Sequence, residues 1–178
     1  DAATGARRWQ THSIAEAPRK LGRVNEAGTE LFGPAGGSIY APLAIDERRG
    51  LLYAATAESY HHDGVAGTNA IIAFDLATGA RRWVVQPRPA DNAAHCANHD
   101  EEDACGNPGS ALFEFAAAPY LATLPDGRQL LLAGQKSGVL YALDPDRNGA
   151  LVWQARVSEG GSLGGIQHGM VVIDGRAY

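Results

Sequence analysis

The chain has 178 residues, 45% of them hydrophobic, and a formal net charge of −5. That is enough apolar material for a core. No apolar run approaches the ~20 residues of a membrane-spanning helix, and no block rich in Lys and Arg speaks for a nucleic-acid partner. With 22 Gly and 9 Pro the chain turns often, which favours many short strands over long helices.

The opening residues DAATGARRW return in AFDLATGARRW (73–83), where Asp1, Thr4, Gly5 and Trp9 recur as Asp75, Thr78, Gly79 and Trp83. Position 1 is not Met, it already lies inside this phrase, and Tyr178 breaks off inside what reads as a strand. The chain is therefore expected to be an internal piece of a longer protein. Residues 12–30 are polar with no clear period and read as loop.

Two strands are expected next, SIYAPLAID (38–46) and GLLYAATAES (50–59), followed by the hairpin AFDLATGARRW. There the Asp side chain accepts backbone N–H bonds in the turn and Gly supplies a positive φ. Trp is placed to pack between neighbouring sheets. Cys96 and Cys105 frame the acidic insertion CANHDEEDAC. A disulfide between them would remove ~2–3 kcal/mol of unfolded-state entropy on the chain-entropy model, and it implies an oxidising compartment, the periplasm. A zinc site at His95, Cys96, His99 and Cys105 has no standard spacing. Asp100–Asp103 read as a solvated loop tip, and His61 and His62 as a surface loop or the border of a channel.

The pattern then repeats. EFAAAPYLATL (114–124) and RQLLLAGQKS (128–137) precede a looser hairpin, YALDPDRNGALVW (141–153), and GGIQHGMVVIDGRAY (164–178) begins a further copy. Pro42 aligns with Pro119, and LLYAAT with LLLAGQ. DPDRNG imitates half of a calcium loop, but Ala155 stands where a bidentate Glu is required, so a turn accounts for it. GSLGG lacks the strand–helix setting of a nucleotide loop.

Four antiparallel strands recurring at about 70 residues, with one Trp each, predict an all-β fold, a β-propeller of four-stranded blades. One partial domain spans 1–178: an outer strand in 1–11, blades in 37–86 and 112–157, and the start of another in 161–178. A closed ring typically takes four to eight blades, so this stretch alone is expected to be incomplete and inactive.

The phrase A-x-D-x-x-T-G-x-x-x-W resembles the repeat of propellers that bind pyrroloquinoline quinone (PQQ). AGQKSGVLYALD (133–144), GSLGGIQHGM (161–170) and LFEFAAAP (112–119) together look like the middle blades of quinoprotein alcohol dehydrogenases of the polyvinyl-alcohol-dehydrogenase type. The resemblance covers roughly 37–178 and implies PQQ lying near the propeller axis beside Ca²⁺, with a carboxylate as general base. On it, Glu114 stands where the family usually has Asp, and is the expected catalytic base and a metal ligand. Glu58, following Ala57 where the family shows Gly-Asn, is the expected Ca²⁺ ligand at the cofactor. Lys136 matches the cation that contacts the quinone oxygens. Gln167 and His168 stand at cofactor-contacting positions.

The implied function is a periplasmic dehydrogenase that oxidises alcohols, polymeric secondary alcohols among them, and passes electrons to cytochrome c. Because Glu58, Glu114 and His168 depart from the family pattern, a second reading stays open: a propeller without cofactor that serves as a protein-interaction scaffold.

Overall fold

Apolar runs closed by Asp, Asn and Gly turns become strands throughout the computed structural model, which describes residues 1–60, 65–87, 113–161 and 164–178. In chain order these are β1 (Arg19–Val24), β2 (Glu30–Gly33), β3 (Ala44–Asp46), β4 (Leu51–Ala55), β5 (Ile71–Asp75) and β6 (Arg81–Val85). There follow β7 (Tyr120–Thr123), β8 (Gln129–Gly134), β9 (Val139–Asp144), β10 (Ala150–Arg156), β11 (Val172–Ile173) and β12 (Arg176–Ala177). The strands β3 to β6 form one four-stranded antiparallel sheet in sequence order, and β7 to β10 a second. Among the described residues the only helical element is the 3₁₀ turn Pro145–Arg147. The all-β, blade-like expectation holds, as part of a propeller.

Strand alternation explains how the sheets stack, because successive side chains point to opposite faces. Leu51, Tyr53, Ile71, Ala73 and Trp83 of the first sheet meet Phe115, Leu131, Ala133, Tyr141 and Leu143 of the second unit in one buried core. The other face of the first sheet, Leu52, Ala54, Ile72 and Phe74, packs on Trp9. The other face of the second, Leu130, Leu132, Leu140 and Ala142, packs on Ile166, Met170 and Val172. Each sheet is thus covered on both faces, which is why its central strands read as unbroken apolar runs.

The repeated Trp docks on the repeated Gly of the following unit. A Cβ built on Gly79 would lie 2.5 Å from the Trp9 ring, and one on Gly149 would lie 2.8 Å from Trp83 and from Val85. Trp9 Nε1 also donates to the Leu76 carbonyl at 3.0 Å. Gly149 has φ +74°, where a side chain is itself strained. Gly149→Ala is therefore expected to destabilise the fold by about 2–4 kcal/mol, combining left-handed strain with overpacking. Chemical denaturation of the variant checks this.

A polar clamp joins the two sheets at their turn ends. Arg49 gives two parallel bonds to Asp146, at 2.8 and 2.6 Å, and bonds of 2.7 Å each to Asp46 and Gln129. Tyr53 Oη donates to the same Asp46 carboxylate at 2.9 Å. The DPDRNG stretch forms the 3₁₀ turn, capped by Asp144 on the Asp146 N–H, and its second Asp serves Arg49.

Three expectations are revised. Residues 12–30 are not all loop, since β1 and β2 form a hairpin closed by Asn25, whose Oδ1 accepts from Thr29 N at 2.8 Å, with Gly28 at φ +77°. Both its faces are largely exposed, so it lacks the half-buried alternation that marks a strand in sequence. Residues 1–11 carry no ladder. They make a turn, Gly5 N to Asp1 O at 2.8 Å, and pair with no described strand. The strands expected from 38 and 114 enter their ladders only at Ala44 and Tyr120. Pro42 and Pro119 precede those ladders and have no N–H to give them, which leaves 38–43 and 114–119 free to build the region described next.

Candidate functional site

The backbone brings the ends of both sheets together beyond β4 and β8. Past β4 the chain stays extended, with Ala57 N donating to Ser38 O at 2.9 Å and Gly37 N to Glu58 O at 2.8 Å. Gly36 bridges Ser59, and a Cβ on it would lie 2.4 Å from the Glu58 carbonyl, so only Gly allows this approach. Glu114 lies between the two units. Phe115 N donates to Thr56 O at 3.3 Å, and Lys136 N to Glu114 O at 3.1 Å. The glycine-rich stretch after β10 closes over Lys136, with Gly161 N donating to Lys136 O at 3.1 Å and Gly165 packed on the same carbonyl. Close backbone approach accounts for those glycines without a nucleotide.

This scaffold gathers Glu58, Glu114 and Lys136. Glu58 and Glu114 are both buried, each about 8% exposed. Lys136 Nζ pairs with Glu114 Oε1, both side chains mostly covered. Glu114 also hydrogen-bonds Glu58 and the Tyr40 hydroxyl. Burial alone would push the Glu114 carboxyl up. The hydrogen bonds from Glu58, Lys136 and Tyr40, with the nearby ammonium charge, outweigh it and hold the group below its ordinary range. Burial, then the bond to Glu114, raises the Tyr40 phenol above its usual value.

A cavity of about 500 Å³ opens beside this cluster. Tyr40, Ala41 and Pro42 form one wall, Ala116, Ala118 and Lys136 another, and Gln167, His168 and Gly169 a third. Small apolar residues thus flank a charged end, the character of a small-molecule site, and the volume lies within the usual 300–1,000 Å³. Two further cavities, of about 370 and 410 Å³, lie along the β1–β2 hairpin around Ala17 and Pro34, and neither is lined by Glu58, Glu114 or Lys136.

Of the residues singled out from sequence, Glu58, Glu114 and Lys136 form one hydrogen-bonded cluster, and Gln167 and His168 face the cavity that Lys136 also lines. The described residues contain no cluster of three or more His, Cys, Asp or Glu, so the protein donors here are two carboxylates and a phenol. Cys96 and Cys105, with His95, His99, Asp100–Asp103, His61 and His62, lie outside the described residues. Tyr40 was missed, and the signal for it was the register of Pro42 with Pro119, which places it on the same approach as the segment carrying Glu114.

The family described as "PQQ: Glucose/ethanol/alcohol dehydrogenase, beta-propeller domain" matches residues 1–107. A polyvinylalcohol dehydrogenase of Sphingopyxis sp. (strain 113P3) is 40% identical over the whole of this chain, and one of Pseudomonas sp is 41% identical. The chain spans 27% of the length of each. Among solved structures, the quinohemoprotein alcohol dehydrogenase ADHIIG from Pseudomonas putida HK5 matches with a TM-score of 0.52 at 22% identity, over 68% of this chain and 17% of that one. A europium-containing methanol dehydrogenase matches with a TM-score of 0.50 at 21% identity, over 68% and 19%. These two likenesses concern the fold alone.

Proposed function

Because the chain belongs to the PQQ glucose/ethanol/alcohol dehydrogenase β-propeller family, we propose that the full-length protein oxidises alcohols with PQQ and Ca²⁺. The observation that carries this reading is the buried Glu114–Lys136 ion pair, next to Glu58, beside a cavity that Lys136 lines. The names of the relatives that match the whole chain favour polymeric secondary alcohols as substrates.

The residues suit both groups. Glu58 and Glu114 supply hard oxygen donors, the type Ca²⁺ takes, side by side at the ends of two units. Lys136 offers a fixed positive charge to an anionic quinone, the alanines and Pro42 leave room for a flat ring system, and Gln167 and His168 offer hydrogen bonds from the facing wall. When bound, PQQ supplies the hydride acceptor. Glu114 takes the proton of the alcohol hydroxyl, general-base work that typically contributes 10²–10⁴-fold. Lys136 keeps Glu114 oriented and ionised, and its charge favours an oxygen that gains negative charge. The disulfide at Cys96–Cys105, the periplasmic location and cytochrome c as electron acceptor belong to the same reading.

Reconstituting the full-length protein with PQQ and Ca²⁺ should give dye reduction that depends on added secondary alcohol or polyvinyl alcohol. Absence of alcohol-dependent reduction in the loaded protein would defeat the reading. Lys136→Met is expected to weaken PQQ binding by about tenfold or more, as loss of a charged hydrogen-bond partner does. Titration of PQQ against protein fluorescence measures it.

A further inference from the structure

We propose that the two cavities along the β1–β2 hairpin form one groove, which binds the chain of a polymeric alcohol while one of its hydroxyls occupies the catalytic cavity. The proposal rests on the dehydrogenase reading above and adds a second place of contact for the same substrate. The cavities, of about 370 and 410 Å³, adjoin, since Glu16, Ala17 and Pro34 line both. Their walls are fixed by the fold. Arg81 Nη1 donates to the Ser13 carbonyl at 2.8 Å, and Tyr60 N to the Ala35 carbonyl at 2.9 Å. A Cβ on Gly67 would lie 2.1 Å from that Ser13 oxygen, and one on Gly37 would lie 2.9 Å from Ser13 Oγ. The segment that carries Ala15, Glu16 and Ala17 is thus seated on two glycines.

The occupant follows from the lining and from where the groove ends. Ala15, Ala17 and Pro18 are exposed beside Pro34 and Ala35, an apolar surface against which a carbon chain sheds water. Glu16 and Arg19 bring opposite charges to the same rim, so a neutral ligand is favoured, and both can hydrogen-bond hydroxyls. A polymer of secondary alcohols has both parts, a continuous carbon backbone and regularly spaced hydroxyls. One stretch of the protein joins groove and cavity: Pro34, Ala35 and Gly36 line the former, and Tyr40, Ala41 and Pro42 the latter. Tyr40 comes four positions after Gly36, which puts the two at most about 14 Å apart. A long chain spans that distance and a small alcohol does not. Polymer held in the groove therefore raises the local concentration of its neighbouring hydroxyls at the cavity, as linking two contacts does.

The test uses the full-length protein and two variants that fill the groove from different segments, Ala17→Trp and Ala66→Trp, both at exposed positions. Loaded with PQQ and Ca²⁺, each should raise KM for polyvinyl alcohol by about tenfold or more, with kcat within about threefold of wild type. That is the mark of lost binding shared by ground and transition states. KM and kcat for isopropanol should stay within about threefold, which also shows that the variants fold. Without PQQ, calorimetric titration with polyvinyl alcohol should show binding to the wild type that weakens about tenfold in both variants. A polymer KM or Kd within about threefold of wild type in either variant would overturn the groove, as would an equal loss with isopropanol. A wild type that oxidises isopropanol and shows no lower KM per hydroxyl for the polymer overturns the groove alone. A wild type that oxidises neither alcohol overturns the dehydrogenase reading, and the groove with it.

Discussion

Glu114→Gln is expected to lower kcat of the loaded full-length protein by about 10²–10⁴-fold while leaving the fold in place. Gln fills the same volume and can still accept from Tyr40 and Lys136 through its amide oxygen, so the packing between Thr56 and Lys136 has no reason to change. What the amide cannot do is take a proton. The substitution also replaces a carboxylate oxygen donor with an amide, so Ca²⁺ affinity should fall as well. Circular dichroism of the variant should match the wild type, and steady-state kinetics with a secondary alcohol should show the loss. A kcat within about tenfold of wild type would remove Glu114 from the role of base.

Arg49→Ala is expected to destabilise the protein by about 3–5 kcal/mol, the usual effect of removing one partner of a buried ion pair. Arg49 is 9% exposed and Asp46 2%, so the variant would leave Asp46 charged in the interior with Tyr53 as its remaining side-chain donor. It would also release Asp146 and Gln129 of the neighbouring unit. Burial pushes the Asp46 carboxyl up, but the bonds from Arg49 and Tyr53 outweigh it and hold the group below its unfolded value. A carboxyl depressed on folding contributes stability above its unfolded pKa, about 3.9, and loses it as pH falls toward the lower folded value. Wild type should therefore lose stability on acidification below about pH 4, and Arg49→Ala should lose less over that interval. Urea denaturation at a series of pH values measures both effects, and a difference below about 1 kcal/mol near neutral pH would count against a buried clamp.

The blades were legible because their strands are covered on both faces. LLYAA and QLLLAG are almost wholly apolar, and Asp75 with Gly79, or Asp144 with Gly149, mark the reversals between them. The β1–β2 hairpin was not, since Lys20, Arg23 and Glu30 face water on a ribbon that buries little. At the site, Glu58, Glu114 and Lys136 were nominated by the resemblance of their segments to the PQQ-binding family, and the structure brings those segments together beyond β4 and β8. Tyr40 and Arg49 escaped for a common reason. SIYAP reads as an apolar strand and ERRG as a solvated turn, and the partners that give each its meaning, Glu114 and Asp146, belong to a different unit. Local pattern carries no information about such cross-unit bonds.

Tyr40 and Glu58 stand on one unit, Glu114 and Lys136 on the next. An emerging polypeptide with only the earlier unit folded therefore holds half a chelate and should let a divalent ion go. On the Ca²⁺ reading, metal capture would then follow docking rather than guide it. Chelator present during refolding but removed before loading should leave the yield of competent protein unchanged.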